Sequence, residues 1–308
     1  MTAADDLVEL ASALADVGRL VRDAVRRGTT QGDADVVRVE GGDEVFGVDV
    51  RAEAEVVAGL AGLWRWPGTA VVEGHDSTLA VGGDVGGGPW RYICDPVDGS
   101  RVLLAGKRSA WVLLGAGREA GTLEDLEVGA AVEIPCADAA RGTVAWAVRG
   151  GPVDARRDDL SDRGRSVPFV LTPRETPGVA RSFVSVVRGL HRPRVPLAAW
   201  EDAVLGHLDV PVFEDAYLCT GGQLMGLATG ADAAVFDPRP LVAGSTGLCA
   251  HPYDLAAIVV ARSAGVVVEA LPPGPLDVPL DTTTDVAWAG YANEHVAAAL
   301  RPRADLFT

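Results

Sequence analysis

Lysine is nearly absent from these 308 residues. Lys107 stands alone among 27 basic residues, while Ala, Val and Gly abound, a bias of GC-rich genomes rather than a functional signal. Positive charge is scarce altogether: 43 acidic residues leave a formal net charge of −16. Such a surface repels phosphate backbones and argues against nucleic-acid binding as a main function. No stretch approaches the roughly 20 consecutive apolar residues of a membrane span. The opening MTAADDLVEL is acidic and lacks an uninterrupted apolar run, so a secretory signal is not expected. These absences lead us to expect a soluble, cytoplasmic protein with neither nucleic acid nor membrane as partner.

Paired cysteines are missing too. Cys94, Cys136, Cys219 and Cys249 form no CxxC spacing, which removes the zinc-ribbon and thioredoxin-like readings. Free, buried thiols are the expectation. The Gly-rich VGGDVGGGPW lacks the GK[ST] ending of a phosphate loop and reads as a hairpin tip. No internal repeat is found.

What remains is an ordinary globular composition, 48% hydrophobic and 23% charged, long enough for one large or two medium domains. Leu7, Leu10, Leu14, Val17, Val21 and Val25 recur at helical spacing before Gly28, predicting an amphipathic helix over 4–27. A second helix is expected over 50–64, with Asp49 at its start and Val56, Leu60, Leu63 and Trp64 on its apolar face. Apolar runs at 69–73, 90–94, 110–115, 128–134 and 142–148, separated by turn residues, predict neighbouring strands of one antiparallel sheet. Residues 150–180 show little periodicity and read as a junction. Beyond them strands alternate with helices near 198–207, 221–229 and 254–264, so a sheet between helices is expected. The implied lobes are 1–150 and 151–308.

The stretch WRYICDPVDGSRVLL (90–104) carries the chemistry. Asp-Pro and Asp-Gly are both turn signals, so Asp95 and Asp98 have a purely local explanation. A calcium loop fails, because position 12 counted from Asp95 is Gly106 rather than an acid. Asp49 and Asp254 read equally well as helix caps, and Glu73 as a solvated strand end. Taken together the five acids fit one pattern: Asp49 opening a helix, Glu73 ending a strand, DPVDGS, then Asp254 in HPYDLAAIVVARSAG. In that order they resemble the inositol monophosphatase family, within the magnesium-dependent, lithium-sensitive phosphatases that include fructose-1,6-bisphosphatase. The segment GGQLMGLATGADAAVF (221–236) is similar to that family's as well, so the likeness runs from Asp49 to Val268.

The resemblance implies a layered αβαβα sandwich, with an α+β N-terminal half, and a Mg²⁺-dependent phosphomonoesterase acting on a small phosphorylated polyol, sugar or nucleotide. A 3′(2′),5′-bisphosphate nucleotidase, a fructose-1,6-bisphosphatase and a catalytically silent metal-binding regulator are the alternatives. It implies that Glu73, Asp95 and the Val97 carbonyl hold one metal and that Asp95, Asp98 and Asp254 hold another. Two or three Mg²⁺ are expected per site, with Mn²⁺ as a substitute. Asp49, Glu73 and Ser100 would be catalytic, Asp49 and Ser100 by orienting the attacking water. The Gly99 and Ser100 amides would bind phosphate, and Asp237 would contact substrate. A homodimer is the family habit.

The departures concern substrate. Ser100-Arg101 replaces the family's common Thr-Asn, and Tyr253 its usual tryptophan. Asp237 lies far upstream of Asp254, across the insert PRPLVAGSTGLCAH. Arg188, Arg192 and Arg194 offer themselves for a second phosphate, or as a solvated face. His191 has no ligand-like partner. Trp146, Trp200 and Trp288 read as core.

Overall fold

The computed structural model describes residues 2–28, 31–40, 43–83, 87–162, 164–188, 194–243 and 248–304. Helix α1 (Ala3–Arg27) matches its expected span, with Thr2 and Asp5 in a reciprocal capping box and two arginines in its last turn. Its stripe of Leu10, Leu14, Val17, Val21 and Val25 is buried. A hairpin of β1 (Val36–Glu40) and β2 (Asp43–Phe46) leads into α2 (Gly47–Ala61). That helix stops before Trp64, which is 75% exposed; Trp66 is the buried tryptophan instead. Helical periodicity carried the sequence reading one turn too far, into residues that leave the helix.

Eight strands form the larger sheet, in the order β10-β9-β8-β7-β6-β5-β3-β4. They are β3 (Gly68–Val72), β4 (Leu79–Val81), β5 (Trp90–Asp98), β6 (Ala110–Arg118), β7 (Val128–Ile134), β8 (Arg141–Val148), β9 (Val153–Asp159) and β10 (Ser166–Phe169). The sheet is mixed rather than purely antiparallel, because β3 and β5 run parallel. It also continues past residue 150, into residues read as a junction. The β9 sequence VDARRDD buries only Ala155 and Asp158 well, so a strand with polar residues on both faces gives no apolar alternation to detect.

The smaller sheet holds β11 (Phe183–Val186), β12 (Asp232–Asp237), β14 (Trp288–Tyr291) and β13 (Val267–Ala270) in that order. Helix α3 (Ser100–Leu104) follows β5. The remaining helices are α4 (Arg194–Leu205), α5 (Thr220–Ala228), α6 (Arg239–Ala243), α7 (Ile258–Ser263) and α8 (Glu294–Ala304). The expected helix over 254–264 is in fact a 3-10 turn, Pro252–Leu255, followed by α7.

Three hydrophobic clusters separate five layers. One lies between α1 and α2 and the outer face of the larger sheet, around Leu14, Val56, Tyr92 and Val112. A second joins the inner faces of both sheets through α5 and α7, around Leu113, Leu224, Ile258 and Trp288. The third seats α4 and α8 on the smaller sheet, around Trp200, Phe236 and Tyr291. The result is an αβαβα sandwich. Trp146, Trp200 and Trp288 are all buried, as expected. Among the described residues no helix is long and apolar enough to cross a membrane.

Candidate metal centre

The site is built where β5 runs out. Its last residues, Asp95 to Asp98, break register with β6 at a bulge. There Asp95 Oδ1 accepts the Val97 amide at 2.9 Å. The turn reading of DPVDGS is therefore right as local structure, and the turn is also what aims the two carboxylates. Gly99 follows at φ 90°, a conformation that costs a side chain, and a Cβ there would lie 2.8 Å from the Cβ of Cys219. Ser100 then opens α3.

Parallel pairing of β3 with β5 sets Val72 beside Cys94, so Glu73 emerges next to Asp95. Asp254 comes from the second half, in the 3-10 turn, where its Oδ2 accepts the His251 amide at 2.6 Å. Asp49 does the same in the first turn of α2, accepting the Phe46 amide at 2.8 Å. Each thus reaches back to the residue ahead of its helical turn. Capping and site membership are compatible.

Asp95, Asp98 and Asp254 bring carboxylate oxygens within 4.8 Å of one another. They line a cavity of about 180 Å³ together with Glu73, Val97, Gly99 and Ser100. An adjoining cavity of about 190 Å³ shares Glu73, Val97 and Ser100 and adds Asp49. The fold therefore gathers every one of these acids, with Val97, Gly99 and Ser100, around one depression.

The electrostatics are those of an acid cluster short of cations. Burial raises the Asp95 carboxyl far above its ordinary range, and the negative charges of Glu73, Asp98 and Asp254 raise it further. Asp98 is pushed up to about 6, chiefly by burial, against the opposing pull of amide hydrogen bonds from Gly221 and Thr220. Asp254 is pushed up to about 7 by burial and by Asp98. Oxygen donors packed this closely suit a hard divalent cation, which would supply the missing positive charge.

Asp237 lies elsewhere. It is fully buried, and its two oxygens are taken by Nε and Nη2 of Arg239 at 2.7 and 2.6 Å. Arg239, which also donates to the Leu248 carbonyl, is the member of the pair that lines the cavity. Arg188 is held by Glu201 and Glu214 outside the cavity, while His191 and Arg192 fall outside the described residues.

Three contributors were not read from the sequence. Arg239 signals itself only as the second residue after Asp237. His251 stacks on Tyr253 at 5.2 Å between centroids, and both line the two cavities. Cys219 caps α5, and its thiol lies 3.4 Å from Asp98 Oδ2. No pattern in the sequence marks the contact of Cys219 with Asp98, because the two lie more than a hundred positions apart.

This five-layer fold is shared by solved structures. Neither family models nor curated proteins match the chain. Structures do. Fructose-1,6-bisphosphatase from Leishmania major superposes with TM-score 0.73 at 14% identity, over 95% of this chain and 93% of that one. The extragenic suppressor protein SuhB from Bartonella henselae gives 0.68 at 16% identity, over 97% and 100%. The MJ0109 gene product, an inositol monophosphatase–fructose 1,6-bisphosphatase, gives 0.65 at 15% identity, over 94% and 98%. The chain has the inositol monophosphatase/fructose-1,6-bisphosphatase fold that its motifs implied.

Proposed function

We propose that the chain is a divalent-cation-dependent phosphomonoesterase, with Mg²⁺ as its metal. The observation that carries this reading is the convergence of Asp95, Asp98 and Asp254 within 4.8 Å, beside Glu73 and Ser100. Glu73, Asp95 and the Val97 carbonyl would hold one cation, and Asp95, Asp98 and Asp254 another. Bound there, Mg²⁺ supplies Lewis-acid polarisation of the phosphoryl group and a water of lowered pKa.

The chain's own residues do the rest. Ser100, with Asp49 and Glu73 across the adjoining cavity, orients the attacking water and takes part in moving its proton. The amides of Gly99 and Ser100 donate to phosphate oxygens, and the missing side chain at Gly99 leaves room for that approach. Asp237 acts on the pocket indirectly, by fixing the Arg239 guanidinium. A cavity lined by that guanidinium favours a substrate with a second anionic group, as in a bisphosphate, over a neutral polyol phosphate.

The test is phosphate release from inositol phosphates, sugar mono- and bisphosphates and adenosine bisphosphates, with Mg²⁺ and with EDTA. Release that needs Mg²⁺ and disappears in Asp95→Asn supports the reading. A folded protein that binds Mg²⁺ at this site yet hydrolyses no phosphomonoester sinks it.

A further inference from the structure

A further cavity lies elsewhere, between the C-terminal half of α1 and the β9–β10 hairpin. It measures about 520 Å³, a size suited to a small ligand. Arg156 stands on β9, four strands from β5, or roughly 19 Å from the acids at ~4.8 Å per strand. Six arginines and four aspartates line it, an excess of positive charge in a chain of net charge −16.

The hydrogen bonds divide those arginines in two. Arg19 and Arg22 both donate to the buried Asp158, at 2.9 and 2.8 Å, fastening α1 to β9. Arg26 donates to the carbonyls of Pro135, Cys136, Ala137 and Ala139. These three build the wall. The guanidiniums of Arg27, Arg156 and Arg165 make no hydrogen bond or ion pair with any described residue. The acids around them are otherwise engaged. Asp16 and Asp23 pair with Arg19 and Arg22. The Asp158 oxygens are taken by those two arginines and Ser166. Asp159 accepts from Ser161 and Asp162 through Oδ1 and attracts Arg165 without forming an ion pair with it.

Three guanidiniums on one cavity, none hydrogen-bonded or ion-paired to a described carboxylate, make a wall suited to an anion. Arginine forks match the oxygens of phosphate or carboxylate in pairs, and three of them call for several charges close together. A long polyanion, which would extend beyond the cavity, is disfavoured by the chain's net charge of −16. We propose that this cavity binds a small, compact, multiply charged anion, a polyphosphate or polycarboxylate, at a site separate from the metal centre.

The experiment uses the full chain freed of metal by passage over a chelating resin, with no soluble chelator present, so that no hydrolysis can occur and no added polycarboxylate competes for the cavity. Inorganic pyrophosphate, citrate and chloride are titrated at matched ionic strength, with calorimetry and melting temperature as readouts. Pyrophosphate or citrate should bind with one-to-one stoichiometry and raise the melting temperature, and the stronger of the two names the ligand chemistry. Arg156→Ala/Arg165→Ala should weaken binding at least tenfold, with Arg188→Ala, which alters an arginine outside the cavity, unchanged. Arg156→Lys/Arg165→Lys, which keeps the charge but loses the fork, should recover only part of it. Absence of binding by both anions, or equal binding to the double alanine variant, overturns the proposal. Because the measurement is made without metal, neither result depends on whether the protein is a phosphatase.

Discussion

Asp98 Oδ1 accepts the backbone amide of Thr220 at 3.2 Å, and its other oxygen accepts that of Gly221. An acid at the end of the larger sheet is thereby fixed by the first turn of α5, which belongs to the second half of the chain. Amide donors at a helix N-terminus favour the carboxylate over the acid. The same contact explains the glycine at 221, where a Cβ would meet Leu113 Cδ2 at 2.6 Å and Asp98 Oδ2 at 3.0 Å. The acid cluster is assembled across the sandwich, so its geometry depends on the packing of both sheets.

Metal binding should report on that assembly. A ligand specific for the folded state adds RT ln(1 + [L]/Kd), about 2.7 kcal/mol at a hundredfold excess over Kd. Millimolar Mg²⁺ should therefore raise the melting temperature, and Asp95→Asn should remove most of the rise. Scanning calorimetry of both proteins with and without EDTA checks this. An equal rise in the variant would place the cations elsewhere.

Without metal, stability should fall with rising pH. Asp98 and Asp254 are pushed up to about 6 and about 7, and Asp95 is raised as well. Between about pH 4 and 7 the folded chain keeps protons that the unfolded chain has released, so the unfolded state gains on the folded one. The contribution is full below about pH 4 and is lost as pH rises through the folded-state values. Acids held low, such as Asp158, act on the other side of that window. Melting temperature in EDTA should decline from about pH 5 to about pH 7.5, and saturating Mg²⁺ should flatten the decline. A rise over that interval in EDTA would mean that the cluster is not protonated in the folded state.

The acids could be read from the sequence because each sits at a local punctuation mark: a bulge at Asp95 and Asp98, a strand end at Glu73, a helical turn at Asp49 and Asp254. The amphipathic α1 and the apolar strands β5 to β8 were equally legible, since their period shows directly. The outermost strand β10 and its neighbour β9 were not, because their polar residues hide the alternation. Arg239 was hidden for another reason. Asp237 attracted notice as the nearest counterpart of the family's substrate-binding acid, but only the folded chain shows its charge turned inward onto the guanidinium that lines the cavity.

Gly99 holds a conformation that a side chain pays for twice. Its φ of 90° is unfavourable for any other residue, and a methyl group would press on Cys219. Gly99→Ala should cost about 1–3 kcal/mol. Denaturant midpoints at unchanged slope measure it. A variant as stable as wild type would show that the turn relaxes freely.

Asp237 and Arg239 form a buried ion pair. Asp237→Ala strands a buried guanidinium and should destabilise by roughly 3–5 kcal/mol, whereas Asp237→Leu/Arg239→Met should recover much of that loss. Activity separates the roles. The double variant should lose rate on bisphosphates more than on monophosphates of neutral polyols. A uniform loss across the substrate panel would make the pair structural only.

Ser100 and Asp254 should fail in different ways if one serves the water and the other the metal. Ser100→Ala removes a hydroxyl but no charge, so kcat should drop roughly 10²–10⁴-fold while the Mg²⁺ needed for half-maximal rate stays put. Asp254→Asn removes one carboxylate of the cluster, so it should raise the Mg²⁺ requirement as well as slow turnover. Its side chain keeps one oxygen to accept the His251 N–H that Asp254 Oδ2 accepts now, so stability must be checked before kinetics are compared. Lithium should inhibit the wild-type protein and lose its effect once Asp254 is altered. Initial rates across a Mg²⁺ series, for the three proteins on one substrate, decide the matter. Full kcat in Ser100→Ala would remove that hydroxyl from the mechanism, and a shift in Mg²⁺ demand as large as that of Asp254→Asn would make Ser100 a metal ligand instead.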